Sequence, residues 1–172
     1  MPLVKAKLIV YSAPNSDARD IEFMFNPQEI SFSRSVGWDS DRGNRGTTLL
    51  PKVNFAGLDP YEFTLQNLLF DTYEKKTSVM DKHINNIKQG VTARAVTHAR
   101  PPVYVFTWGE RYFHCVMTNL TYRLTMFLEN GTPVRAFVDI ALREVDPQDL
   151  VGSKNSSKGG TGKGKGQPPS LL

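Results

Sequence analysis

Residues 101–145 constrain what this chain can fold into more than any other stretch. They read PPVYVFTWGERYFHCVMTNLTYRLTMFLENGTPVRAFVDIALREV. From Leu120 the alternation is regular: Leu120, Tyr122, Leu124, Met126 and Leu128 fall on one side of an extended chain, Thr121, Arg123 and Thr125 on the other. Asn130-Gly131 then offers the positive φ of a tight reversal. Beyond it Val134, Ala136, Val138, Ile140 and Leu142 oppose Arg135, Asp139 and Arg143. Successive side chains of a strand point to opposite faces, so this period predicts strands with one buried face. Residues 103–107 and 112–117, joined through Trp108-Gly109-Glu110, add two more. The stretch predicts four consecutive antiparallel strands. Their core face is led by Leu120, Tyr122, Leu124, Val138 and Ile140. Their opposite face, with Arg123, Arg135, Asp139 and Arg143, meets solvent, a lumen or a neighbouring subunit.

The rest of the chain extends this β pattern. Residues 3–11 form a first strand with Val4, Ala6, Leu8 and Val10 on one side, and residues 21–25 pair with it after a polar turn region at 12–20. Asn26-Pro27 breaks the second strand, because proline cannot continue a ladder. Residues 28–36 resume, and Trp38 ends that strand. Residues 39–52 (DSDRGNRGTTLLPK) are a long polar loop, of the kind that carries function on a compact domain. Residues 53–55 are a brief strand and 57–60 a turn. Residues 61–70 read as a strand from their alternating start, with a short helix as the alternative. The clear helix is 78–89, with Ser78 as N-cap, Met80, Ile84 and Ile87 on one face, and Gly90 as its stop.

Charge must be located before it is interpreted. The formal net charge is +4. Lys154, Lys158, Lys163 and Lys165 account for all of it, and residues 151–172 hold no acid. The preceding residues are formally neutral, so the basic pI does not describe a nucleic-acid-binding face. The chain divides into a β domain over 1–150 and a glycine- and lysine-rich tail over 151–172, whose composition predicts flexibility. No apolar run reaches the length of a membrane span, and no signal peptide opens the chain. A single cysteine, Cys115, forms no internal disulfide; inside a strand it reads as a buried small hydrophobe.

Chemistry is scarce. His83, His98 and His114 lack zinc-ligand spacing, and no Gly-x-Ser-x-Gly elbow is present. Residues 43–48 (GNRGTT) lack the lysine of a phosphate loop. Asp17, Asp20, Asp39 and Asp41 read as solvated or turn-capping residues. Tyr104, Trp108 and Tyr112 read as core or interface aromatics rather than a base-stacking platform. These absences disfavour an enzyme.

An ordered set of short motifs carries a family resemblance: VKAKL at 4–8, FMFNP at 23–27, SFS at 31–33 with Trp38, FAG at 55–57 and LLFDT at 68–72. PPV at 101–103, FTWG at 106–109 and GTPVRA at 131–136 follow in order. The set resembles the tube-type domain of contractile injection systems, the phage-tail-like particles. It is most similar there to the baseplate tube-initiator or adaptor proteins that often carry a C-terminal LysM module. That module is absent here, so LysM functions do not carry over.

The resemblance implies a mainly β fold: a tail-tube-like antiparallel barrel or sandwich with one flanking helix. It implies no cofactor, no metal and no catalysis. It implies a homohexameric ring joining a trimeric spike or hub to the inner tube or a second tube-initiator protein, among baseplate wedge proteins. No specific nucleic acid and no membrane insertion belong to that role. Such a particle is assembled in the bacterial cytoplasm and then released or retained. A main inner-tube subunit is the alternative, and a nucleic-acid-binding module acting through the basic tail is a different class. Arg34, Trp38, Arg42 and Arg45 are candidate interface residues, since arginine and tryptophan are enriched at such contacts. The competing readings are solvated loop charge for the arginines and core burial for Trp38.

Overall fold

The computed structural model describes residues 3–14, 17–40, 53–93 and 100–148. The expected basic tail, and Arg42 and Arg45 of the polar loop, lie outside them. Nine strands form among the described residues: β1 (Lys7–Ser12), β2 (Ile21–Glu22), β3 (Ile30–Ser33), β4 (Val36–Ser40), β5 (Val53–Leu58), β6 (Glu62–Asp71), β7 (Val103–Trp108), β8 (Arg111–Phe127) and β9 (Pro133–Glu144). Seven make one antiparallel sheet in the order β2-β1-β7-β8-β9-β6-β3, while β4 and β5 pair only with each other.

The sheet curls on itself. Phe63 on β6 packs edge-on against Phe106 on β7 and Phe113 on β8, with centroids 5.6 and 4.6 Å apart. Phe32 on the far edge strand reaches Phe113 at 5.9 Å. Strands two or three places apart in the sheet thus meet through their inner faces, which gives the barrel-like form expected from the sequence. The core holds Leu8, Phe63, Leu65, Phe70, Phe106, Val138, Ile140 and Leu142, with Leu120, Tyr122 and Leu124 packed against it.

The 101–145 stretch has three strands, not four. Residues 112–117 and 120–127 belong to one continuous β8 of 17 residues. Cys115 and Met117 face inward at odd positions, Leu120, Tyr122 and Leu124 at even ones. The register against β9 shifts between Met117 and Asn119. One extra residue at a bulge resets the alternation without ending the strand, so a phase break in the sequence looked like a boundary. A bulge also explains the ambiguity at residues 61–70. Phe63 and Leu65 point inward, then Leu68 and Phe70, with a register shift between Leu65 and Leu68 and Asn67 at φ 53°. The inward positions 65 and 68 mimic helical spacing, but the segment is strand.

The helical segment covers Met80–Val91 as a π turn (Met80–Ile84), an α turn (Asn85–Lys88) and a 3-10 turn (Gln89–Val91). Ser78 Oγ accepts the Asp81 N–H at 3.4 Å, a weak form of the expected cap. Val79, Ile84 and Ile87 are buried and close one side of the curl. Gly90 is not a left-handed stop. It lies in the 3-10 turn, and a Cβ there would stand 2.7 Å from Met117 Cε and 3.3 Å from Tyr104 Oη. A larger residue there would have to displace the end of the flexible Met117 side chain, because the helix runs against β7 and β8 at that point.

Two asparagines tie the periphery down. Asn26 accepts the Ala6 N–H at 2.9 Å and donates to the Val4 carbonyl at 2.8 Å. Its amide thereby replaces the strand partner that Pro27 cannot provide. Asn86 accepts the Arg19 N–H at 2.9 Å and donates to the Arg19 and Asp20 carbonyls, fixing the helix to the β1–β2 connection.

Candidate assembly surface

β4 and β5 form a ribbon detached from the sheet. Trp38 does not end a strand, and 53–55 is not a brief one. Trp38 stands in the middle of β4, and β5 runs on through Gly57 and Leu58, where a turn was expected. The register pairs Val36 with Leu58, Trp38 with Phe55 and Ser40 with Val53, with a bulge between Gly37 and Trp38. Residues opposite each other share a face, so one face of the ribbon carries Val36, Trp38, Val53, Phe55 and Leu58. The other face carries Gly37, Asp39, Asn54, Ala56 and Gly57. All five apolar side chains are exposed. Core burial of Trp38 is therefore overturned.

A two-stranded ribbon is marginal alone in water, and this one is held at its root. Arg34 donates Nε–H to the Asp59 carbonyl at 2.8 Å and lies over the Tyr61 ring at 4.6 Å. The Asp59 N–H donates to the Ser35 carbonyl at 3.1 Å. Tyr61 and Glu144 bind reciprocally: the Glu144 N–H donates to the Tyr61 carbonyl at 2.8 Å and the Tyr61 N–H to Glu144 Oε2 at 3.2 Å. Beside this root lies a groove of about 770 Å³ with Leu58, Pro60, Tyr112 and Phe113 among its walls.

The second set of candidate residues gathers on the outward face of the sheet. Arg135 donates from Nε and Nη2 to Asp71 Oδ2, at 2.8 and 2.5 Å. Arg143 donates likewise to Glu62. Asp139 accepts the Asn67 N–H at 2.7 Å, so the bulge amide is satisfied. Arg123 donates to Asn67 Oδ1 at 3.2 Å and lies 5.8 Å over the Phe137 ring. All four engage partners on β6 or β9 of their own sheet. The Asp71 carboxyl is held below its ordinary value, chiefly by the Tyr73 N–H at 2.8 Å, with Arg135 adding to this and partial burial opposing it.

Trp38 and Arg34 thus belong to the ribbon and its root, while Arg123, Arg135, Asp139 and Arg143 form a separate polar face. Sequence reasoning missed Val36, Val53, Phe55 and Leu58. Their signal was the mirrored alternation Val36/Trp38 and Val53/Phe55 on either side of a polar loop, with Gly37 and Gly57 at matching distances.

Buried ionisable groups lie elsewhere. Burial pushes Cys115 and Tyr104 each up to about 12. His83, half-buried and 5.1 Å from the Phe70 ring, is lowered by burial and then by Lys82 and Lys75. Among the described residues no cluster of three metal-ligating side chains occurs. None of their helices is long and apolar enough to cross a membrane.

Residues 2–151 match the protein family described as contractile injection system tube protein. No curated protein matches the chain.

Proposed function

This chain belongs to the contractile injection system tube protein family, and on that premise we propose that it is a ring-forming adaptor of the baseplate. In this reading residues 1–150 are the tube domain. Six copies form one ring between a trimeric spike or hub and the inner tube or a second tube-initiator protein, with wedge proteins around it. Assembly takes place in the bacterial cytoplasm, and the particle is then released or retained.

The observation that carries this reading is the ribbon. Val36, Trp38, Val53, Phe55 and Leu58 present a contiguous apolar face on an arm too thin to bury it. Large exposed apolar patches mark association sites, and an arm reaching out of one copy suits contact with the next. Arg34, at the root, orients the arm. The outward face with Arg123, Arg135, Asp139 and Arg143 supplies a second, polar surface for the lumen or a neighbour. Arg42 and Arg45, outside the described residues, are proposed as interface residues from the sequence alone.

Electron microscopy of the intact particle tests it. Six copies in a single ring at the spike end are expected. Normal particles assembling without this protein would overturn it. The second reading, a main inner-tube subunit, rests on the same family membership; copy number separates the two, since a tube subunit recurs in every stacked ring. DNA binding measured against salt, for the full chain and for one ending at Leu150, tests the nucleic-acid alternative. Tight, salt-resistant binding by the domain would favour it.

A further inference from the structure

We propose that the cleft between the ribbon and the start of β8 receives Leu3, Val4 and Phe25 of a second copy of this chain. This docking rests on the ring reading above and names the surface that meets the arm.

Both walls of the cleft are apolar. Leu58 belongs to the apolar face of the ribbon and also lines the groove with Tyr112 and Phe113. The face that carries Trp38 and Phe55 is thus continuous with the groove and opens toward the start of β8. An adjoining hollow of about 320 Å³ adds Phe32 and Tyr61. These large side chains stand open: Tyr112 is 70% exposed and Leu58 55%. Covering such surface is favourable, and patches of this kind mark association sites.

A second exposed apolar set lies at the other end of β6. Leu3 is 79% exposed, Phe25 54% and Val4 53%. Asn26 joins them, because it follows Phe25 and its amide donates to the Val4 carbonyl at 2.8 Å. Met24 places the group, since its sulfur accepts the N–H of Asp71, the last residue of β6, at 3.2 Å. The ribbon root instead adjoins the first residues of β6, at Tyr61 and Glu62. That strand has ten residues, so the two surfaces of one copy stand about 30 Å apart. One copy cannot bring them together; a second copy can. Contact between two different surfaces is head-to-tail, the kind that closes into a ring when the rotation allows.

Charge favours the same pairing. Around the root, Asp59, Glu62, Glu144 and Asp146 outnumber Arg34 and Arg143, and Arg143 is already paired with Glu62. The docking set carries Lys5 and Lys7 against Glu22, which pairs with Lys5 at 3.6 Å. Lys7 has no ion-pair partner among the described residues. Complementary potentials of this kind speed encounter and fix register.

Crosslinking between full-length copies in assembled particles tests the docking. One chain carries Val4→Cys and a second Tyr112→Cys, with Thr125→Cys as the reference partner. A short bismaleimide joins them, and the native Cys115 is buried and does not compete. Mixed chains are expected to link 4 to 112 several-fold more than 4 to 125. A chain bearing both Val4→Cys and Tyr112→Cys should give a ladder of linked copies that ends at the ring size. Lys7→Glu should lower the 4-to-112 yield roughly threefold, and Asp146→Lys in the partner should restore it. Intact rings whose 4-to-112 links are no more frequent than 4-to-125 links overturn the docking and leave the ring standing. A yield that ignores both charge changes, or links confined to 4 with 4, overturns it as well. Ring formation is read separately, from the mass of the uncrosslinked complex; its absence overturns ring and docking together.

Discussion

The indole of Trp38 meets the ring of Phe55 edge-on across the ribbon, with centroids 5.7 Å apart at 71°. The pair is in contact yet open to water, at 60% and 59% exposure. A pair so exposed contributes little to the stability of its own domain. Its apolar area is available to something else.

Trp38→Asp is therefore expected to separate folding from assembly. Exposed substitutions usually change stability by no more than about 0.5 kcal/mol, so thermal unfolding of the isolated chain should hardly move. Incorporation into particles should fall at least roughly tenfold, the equivalent of about 1.4 kcal/mol at the interface. A domain that unfolds early instead would mean that Trp38 is packed within its own copy.

Arg135→Ala should cost about 1 kcal/mol at pH 7, because Asp71 is left partly buried without its charged partner and the exposed side of the pair is screened. The pH dependence has a definite sign. Asp71 has a folded-state value below its ordinary 3.8, so its ionised form favours the folded state above that value. The contribution fades as pH falls through the lower folded value. Urea unfolding of both proteins at pH 7 and near pH 2 should show the gap narrowing; a gap unchanged at low pH would exclude charge as its cause.

The Tyr104 hydroxyl is buried with no hydrogen-bond partner among the described residues. A buried polar group without a partner is costly, so Tyr104→Phe should be neutral or stabilising by up to about 1 kcal/mol. Denaturant midpoints at constant slope measure this. A loss of more than about 1 kcal/mol would reveal a partner.

Cys115 should resist thiol reagents in the native protein. Its thiol is raised from 9.0 to about 12 by burial, which lowers the thiolate fraction at pH 8 roughly a thousandfold. Labelling should become fast only under unfolding conditions. Rapid labelling of the native protein would show that β8 opens locally between β7 and β9.

The β class and the buried face of the last strands were legible because period-2 alternation depends on neighbours in the chain. Val134 to Leu142 points alternately in and out wherever β9 lies in the sheet. The four-strand count failed at Met117, where a bulge keeps the ladder and shifts the phase. Gly90 was legible as an interruption but not as a close approach, since Met117 and Tyr104 are distant in sequence. Asn26 was read as a break, while its side chain completes the pairing of Val4 and Ala6. For Trp38 the sequence leaves interface contact and core burial both open, because composition cannot tell an apolar side chain facing a sheet from one on an arm that has left it.

The sequence by itself determined an antiparallel β domain with one helix and an inward face led by Leu120, Tyr122, Leu124, Val138 and Ile140. The ordered motifs gave the family, which residues 2–151 match. Only the tertiary structure decided that β4 and β5 pair with each other rather than with the sheet, and that Arg135 and Arg143 are tied to Asp71 and Glu62. The physical reason is range. Alternation is fixed by local backbone geometry, whereas exposure depends on which distant strands remain to cover a face, and at Trp38 none of the described strands does.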